Sequence, residues 1–295
     1  MMSVDVLRAS QVTKRFSNRE VLRGVDLQIP QGSVCGLIGR NGAGKSTLLE
    51  CAVGLQRISN GELRLLGEDS SSLSPEAQSR LGFVPQTPAN AGWMTGRRLL
   101  KCAASFYPSW NWRLAERLVE AWGLDLRPRL RTLSEGTARQ LAILMALAPE
   151  PDVLVLDEPV AGLDPIARRT FLQEILEIAL EGDRTVLFST HITSDLERVA
   201  DQVAVLIDGA IRFSGYLDIL KERVVRLYVR SPEKLPETLG LTGTLREDVE
   251  WREATAVVEG LDPREVEALE ESLNARVEVK TLSLENIFLE LHNAN

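Results

Sequence analysis

The run Gly39-Arg40-Asn41-Gly42-Ala43-Gly44-Lys45-Ser46, followed by Thr47, has the glycine spacing and the Lys-Ser ending of a loop that cradles phosphate. Its glycines let backbone N–H groups turn inward on a β-phosphate, at the positive end of the helix that should follow. Lys45 would reach the β- and γ-phosphates, and the Ser46 hydroxyl would ligate Mg2+. The bland alternative is a chance glycine-rich turn. An apolar run at 34–38 before the loop and a helix-like stretch after it argue against that. Taken alone, the loop does not choose among kinases, GTPases and motor ATPases.

A second constellation narrows the choice. Val153, Leu154, Val155 and Leu156 read as a buried strand that ends on two adjacent acids, Asp157 and Glu158. Neighbouring side chains on a strand point to opposite faces. Asp157 could therefore serve the Mg2+ shell while Glu158, where the chain bends, faces the γ-phosphate and polarises a water. A solvated strand end is the alternative for any such pair. Its position downstream of the phosphate loop favours the chemical reading.

Further pieces lie in a fixed order: Gln86 after an apolar run at 81–84, Leu133-Ser134-Glu135-Gly136-Thr137, Ala161-Gly162-Leu163-Asp164, and His191 after a run at 185–188. With the phosphate loop and Asp157-Glu158-Pro159, they resemble the ATP-binding cassette, or ABC, ATPases over residues 4–215. The resemblance implies that Phe16 stacks on adenine, although a lone Phe beside a strand is more often core. It implies that Gln86 senses Mg2+ and the water, that His191 contacts the γ-phosphate, and that Asp164 belongs to a loop crossing a dimer interface. It also implies that Ser134 and Gly136 grip ATP held by the opposite subunit. The signature departs from the usual L-S-G-G-Q at Glu135 and Thr137. A carboxylate there is unhelpful to a triphosphate unless it points away.

The elements that must position these groups suggest an α/β fold: a P-loop NTPase core with an antiparallel β subdomain, a helical insertion and a small C-terminal α+β appendage. Strand-like runs occur at 4–9, 25–29, 34–38, 63–66, 81–84, 153–156 and 185–188. Between 87 and 132 the strand signal gives way to helix-like stretches at 97–106 and 114–122. A helix at 166–180 would start on Asp164-Pro165, with Phe171, Ile175 and Ala179 on one face and Leu172, Leu176 and Leu180 beside them. Asp208-Gly209 joins runs at 203–207 and 210–213 as a hairpin. Beyond residue 215 come alternating runs at 224–229, 255–258 and 277–279 and a charged helix at 263–273. The expected domains are an ATPase at 1–215 and an accessory extension at 216–295.

Composition sets the outer bounds. A formal net charge of −8 argues against a nucleic-acid partner, which would call for a basic face. Cys35, Cys51 and Cys102 lack metal-ligand spacing and read as small buried hydrophobes. No signal peptide and no apolar run of about 20 residues is evident, so a cytoplasmic chain is expected, peripheral to the inner face of the cell membrane through a partner. Trp93, Trp110, Trp112 and Trp122 fall in the helical insertion, where they would either meet a membrane subunit or fill the insertion's own core.

The resemblance implies an ATP-hydrolysing motor that powers a separately encoded integral membrane permease. It would act with ATP and Mg2+ as a dimer, most simply of identical chains, closing head to tail around two nucleotides. The segment 282–289 is similar to the C-termini of drug and antibiotic exporters, which favours export. The rival readings are a soluble ABC ATPase acting on nucleic acid or ribosomes and a non-hydrolysing regulatory module. One cassette without a heptad run weighs against the first, and retention of Glu158 and His191 against the second.

Overall fold

The computed structural model describes residues 5–87, 92–160, 168, 172, 173, 176, 177 and 184–294. They divide into two compact units, one of residues 1–191 and 199–214, the other of 192–198 and 215–295.

The first unit holds two sheets. β1 (Asp5–Phe16), β2 (Arg19–Pro30), β4 (Asn60–Leu65) and the short β5 (Glu68–Asp69) form an antiparallel sheet in the order β2-β1-β4-β5. β1 is longer than its apolar start predicts. The polar stretch that follows Ala9 stays in the sheet by way of irregular pairing, and Gln11 takes a positive φ of 50° at one such irregularity. The second sheet has the order β10-β9-β3-β8-β7-β6. Its strands are β3 (Val34–Ile38), β6 (Leu81–Val84), β7 (Val153–Asp157), β8 (Thr185–Thr190), β9 (Gln202–Ile207) and β10 (Ala210–Tyr216).

Strands β6, β7, β8, β3 and β9 run parallel. Every residue of β3, β7, β8 and β9 is buried, so apart from polar residues at their ends (Asp157, Thr185, Ser189, Thr190 and Gln202) they read as continuous apolar runs rather than alternating ones, as a sheet covered on both faces demands. Between β9 and β10, Asp208 and Gly209 both have positive φ, 47° and 84°, the requirement of a tight hairpin turn.

The helices of this unit with described bounds are α1 (Lys45–Ala52), α2 (Pro75–Ser79), α3 (Gly96–Ala104), α4 (Trp112–Ala121) and α5 (Glu135–Leu147). Thr95, Asn111 and Ser134 cap α3, α4 and α5, each accepting a backbone N–H three residues on. Around α3 and α4 the aromatics divide. Trp110 meets Tyr107 and Trp112 at centroid distances of 5.9 and 5.8 Å, while Trp112, like Trp93 and Phe106, is exposed. Of the expected helix at 166–180, residues 168, 172, 173, 176 and 177 are helical, with Leu172 and Leu176 buried; Phe171, Ile175, Ala179 and Leu180 lie outside the described residues.

The second unit is a four-stranded antiparallel sheet in the order β12-β13-β11-β14, from β11 (Val224–Arg230), β12 (Thr244–Val249), β13 (Glu253–Glu259) and β14 (Arg276–Thr281). α6 (Thr193–Leu196), α7 (Leu217–Arg223), α8 (Pro263–Leu273) and α9 (Leu284–Asn293) complete it. Val225, Leu227 and Val229 of β11 pack with Ala254, Ala256 and Val258 of β13 and with Leu269 of α8. α9 starts on a Ser283 cap and buries Leu284, Ile287 and Leu291. β12 and α9 are additions to the sequence reading. β12 (TLREDV) buries no residue fully, which leaves an edge strand without an apolar signal.

Candidate functional site

The phosphate loop leaves the carboxyl end of β3 and runs directly into α1. Gly44 caps that helix at φ 107°, a conformation that L side chains rarely adopt, and a Cβ at Gly39 would meet the Leu206 carbonyl at 2.6 Å. No side chain caps α1 and no acidic residue sits in its first turn, so its leading N–H groups and positive dipole end are left for an anion. The loop borders a cleft of about 340 Å3 lined by Arg19, Val21, Arg40, Asn41, Gly42, Gly44, Lys45, Ser46, Thr47, Gln86 and Glu158.

Parallel register brings the other groups to the same edge. β3, β8, β7 and β6 are successive neighbours, with Ile38 opposite Thr190, Asp157 opposite Ser189 and Val84 opposite Leu156. The residues just past these strands, Gly39, His191, Glu158 and Gln86, therefore emerge side by side at the carboxyl edge, where open α/β sheets bind ligands.

There the side chains make a connected set. Lys45 Nζ donates to the Gly39 carbonyl at 2.8 Å and lies 3.3 Å from Glu158 Oε1. Glu158 Oε2 is 2.9 Å from His191 Nδ1. Glu158 Oε1 makes no aligned hydrogen bond, so its contact with Lys45 is an ion pair only, and the atom retains a free acceptor position. Glu158 takes φ 48°, a left-handed conformation that costs a non-glycine residue roughly 1–3 kcal/mol and is held by its surroundings. Its N–H donates to Ser189 Oγ at 2.9 Å, and Ser189 Oγ–H in turn donates to Asp157 Oδ1 at 2.5 Å. The break from extended geometry at Glu158, rather than simple strand alternation, sets the direction of the Glu158 side chain.

Other expected residues stand apart from the cleft. Phe16 closes β1 with its ring 43% exposed and Lys14 Nζ 4.6 Å from its centroid; Arg19 and Val21 of the next strand line the cleft instead. Asp157 is buried in the Ser189 network. Ala43 is buried in the core beneath the loop. Ser134 and Gly136 stand at the start of α5 and do not line the cleft. Asp164, with Ala161, Gly162 and Leu163, lies outside the described residues. The sequence reading did not single out Arg19, Val21, Arg40 or Arg139, although Arg40 lies inside the loop motif itself.

The two unusual signature residues have local roles. Thr137 N–H donates to Ser134 Oγ at 3.1 Å, and the two hydroxyls are 2.8 Å apart. With the Thr137 hydroxyl as donor, Ser134 keeps its own hydrogen for another acceptor. Glu135 is largely exposed, and its Oε1 lies 3.5 Å from Arg139 Nη2 at the i,i+4 spacing. A guanidinium thus faces the carboxylate whose charge would oppose a nearby triphosphate.

Residues 22–161 match the ABC transporter family. The Nod factor export ATP-binding protein I of Cupriavidus metallidurans is 31% identical over 297 residues, covering 97% of this chain and 97% of that protein. The bacitracin transport ATP-binding protein BcrA of Enterococcus faecalis is 30% identical over 206 residues, 69% of this chain and 67% of that one. An uncharacterised ABC transporter ATP-binding protein of Nostoc is 33% identical over 72% of this chain and 66% of its own length. Among solved structures, an ATP-binding subunit of an ABC transporter superposes with a TM-score of 0.65 at 27% identity, covering 74% of this chain and 92% of that one. A dimeric ATP-binding cassette in a post-hydrolysis state, bound to ADP and Pi, shares the fold with a TM-score of 0.64 at 23% identity, covering 72% and 98%.

A parallel-sheet core with a phosphate loop, an acid pair and a histidine on one edge defines a P-loop nucleotide hydrolase. The chain belongs to the ABC transporter family, as an ATP-binding and ATP-hydrolysing subunit.

Proposed function

We propose that this chain is the motor of an exporter, hydrolysing ATP on the cytoplasmic face of a membrane to drive a permease carried on a separate polypeptide. The observation that carries the reading is the meeting of Lys45, Glu158, His191 and Gln86 at the carboxyl ends of four neighbouring strands. Outward transport draws on the Nod factor export and bacitracin transport relatives, and on the 282–289 segment. No helix among the described residues is long and apolar enough to cross a membrane, so the permease is a partner in this reading. The cassette spans 1–215 with a helical insertion at about 87–132, and 216–295 is an accessory extension.

In the working state the α1 N-terminus and loop N–H groups hold the phosphates, and Lys45 exchanges Glu158 for phosphate oxygens. Glu158, released from that ion pair, accepts a proton from the attacking water, while His191 orients against the γ-phosphate. Phe16 stacks on adenine from the β1 end. Ser46 and Gln86 line the cleft with neutral oxygens, and Asp157 lies buried at the end of β7 next to the cleft-lining Glu158; these three would supply oxygens to a hard cation that completes its shell with water and phosphate. Among the described residues no group of three or more His, Cys, Asp or Glu could hold a metal ion. When bound, Mg2+ neutralises phosphate charge that develops in the transition state.

Ser134 and Gly136 stand outside the cleft of their own chain. That supports a head-to-tail dimer in which each ATP lies between the phosphate loop of one subunit and the signature of the other, with Asp164 in the loop that crosses between them. Two measurements test the reading together: Mg2+-dependent ATPase activity of the purified chain, and co-purification of an untagged integral membrane protein. Absence of both would overturn it.

A further inference from the structure

Arg139 is 2% exposed on α5, and its guanidinium joins two segments that leave different strands. Nη1 donates to the Glu158 carbonyl oxygen at 2.7 Å, and Nη2 donates to the Gln86 carbonyl oxygen at 2.8 Å. Glu158 follows β7 and Gln86 follows β6, whereas Arg139 grows from the helix that Ser134 caps. A planar fork with fixed donor directions satisfies two separate carbonyls at once, which the point charge of a lysine ammonium cannot do in the same geometry. Nε has no partner, so the guanidinium is buried on the strength of its Nη contacts.

Glu158 needs such support. At φ 48° its backbone persists only where the surroundings over-determine it. Its N–H is held by Ser189 and its carbonyl by Arg139, so both backbone groups of the strained residue are anchored, and the direction of its carboxylate follows from them.

We propose that Arg139 is a positioning residue for ATP hydrolysis, holding Glu158 in its left-handed conformation and binding it to the Gln86 segment and to the signature helix as one mechanical piece. The proposal rests on the reading of Glu158 as the group that polarises water. Arg139 itself touches no nucleotide; it acts through the two carbonyls. A shift of α5, when Ser134 and Gly136 engage nucleotide on the opposite subunit, is delivered to Glu158 and Gln86 together.

The test uses the full chain with Arg139→Gln and Arg139→Lys, reading kcat, KM for ATP and the thermal midpoint. Arg139→Gln should lower kcat by about 10²-fold, the loss expected when a reacting group is misplaced by about 1 Å, with KM for ATP nearly unchanged. Arg139→Lys, which keeps the charge but not the fork, should fall between that and wild type. It carries the test if the glutamine variant fails to fold. In a Glu158→Gln background, Arg139→Gln should remove little of the remaining turnover, because a residue acting through Glu158 has nothing left to act on.

An arginine that merely fills the core would lower the thermal midpoint and reduce turnover equally in both backgrounds, and that additive result overturns the proposal. Wild-type kcat in Arg139→Gln, or in Arg139→Lys if only that variant folds, while Glu158→Gln is inactive, overturns the proposal alone. Wild-type turnover in Glu158→Gln overturns the reading of the base and the proposal with it.

Discussion

Lys45 and Glu158 face each other across the nucleotide cleft, Nζ to Oε1 at 3.3 Å, with both side chains more than nine-tenths buried. The ammonium that should meet phosphate is thus paired with the carboxylate that should meet water, and nucleotide has to divide them. A buried pair is poor evidence of net stability, but removing one member leaves the other uncompensated.

Lys45→Ala should therefore do two things. It should weaken ATP binding and abolish turnover, and it should destabilise the nucleotide-free chain by about 1–3 kcal/mol, the cost of a stranded buried polar group. His191, at 2.9 Å from the same carboxylate, keeps that loss from being larger. Adding Glu158→Gln should restore much of the stability and none of the activity. Urea unfolding of the single and double variants, beside an ATPase assay, checks both parts; unchanged turnover in Lys45→Ala would remove the loop from the mechanism.

Binding and chemistry separate at Glu158. The amide of Glu158→Gln keeps the shape of the side chain but cannot take a proton, so turnover should drop by about 10²–10⁴-fold, the usual worth of a general base. ATP binding should survive, and a nucleotide-bound dimer should accumulate on gel filtration. A variant that turns over at the wild-type rate would sink the assignment.

Composite sites predict complementation. A chain carrying Lys45→Ala and another carrying Gly136→Asp should each be inactive alone, because both sites of each homodimer are damaged. In the mixed dimer one site collects both lesions, while the other joins an intact Lys45 to an intact Ser134 and Gly136. Partial ATPase activity should return on mixing under conditions of subunit exchange. A dimer of wild type with a Lys45→Ala chain is the control: one composite site stays intact, so it is inactive only if the two sites are strictly interdependent. No recovery, with that control active, would refute the head-to-tail arrangement.

The thiols give a check independent of nucleotide. Burial pushes the Cys35 thiol up to about 12, with Asp201 adding to it, and pushes Cys51 of α1 up to about 11, with Lys14 opposing. Both stay neutral, and a neutral thiol is a poor nucleophile. Cys102 is only half-buried, which departs from the expectation of three core cysteines. At pH 8 a thiol reagent should titrate Cys102 in the native chain and reach the other two only on unfolding. A pKa raised in the fold favours the protonated form there. The stability it contributes is complete below the ordinary thiol value of about 9 and is lost as pH rises toward 11–12. Unfolding midpoints measured from pH 8 to 11 should fall accordingly, and fast native labelling of all three thiols would contradict the placement.

The parts of the site held by short-range constraints are written in the order of the amino acids. Gly44 must be glycine to hold φ 107° at the start of α1, the fully buried β3 and β7 must be continuous apolar runs, and Ser134 caps a helix from its own first turn. Each leaves a mark within a few residues, so the loop, the acid pair and the order of the motifs were legible. The edge strand β12 was not, because a strand that buries nothing fully leaves no apolar alternation to read. Tertiary structure alone decided which groups touch. Parallel register set His191 and Lys45 on the two oxygens of Glu158 and put Ser189 between the two acids. The Glu158 backbone left the extended region, so strand alternation could not give the direction of its carboxylate. Arg139 closed on two carbonyls far from it along the chain, and no spacing rule encodes a bond from a side chain to the backbone of another element. Those contacts depend on distances through space, fixed only when five parallel strands and α5 pack into one unit.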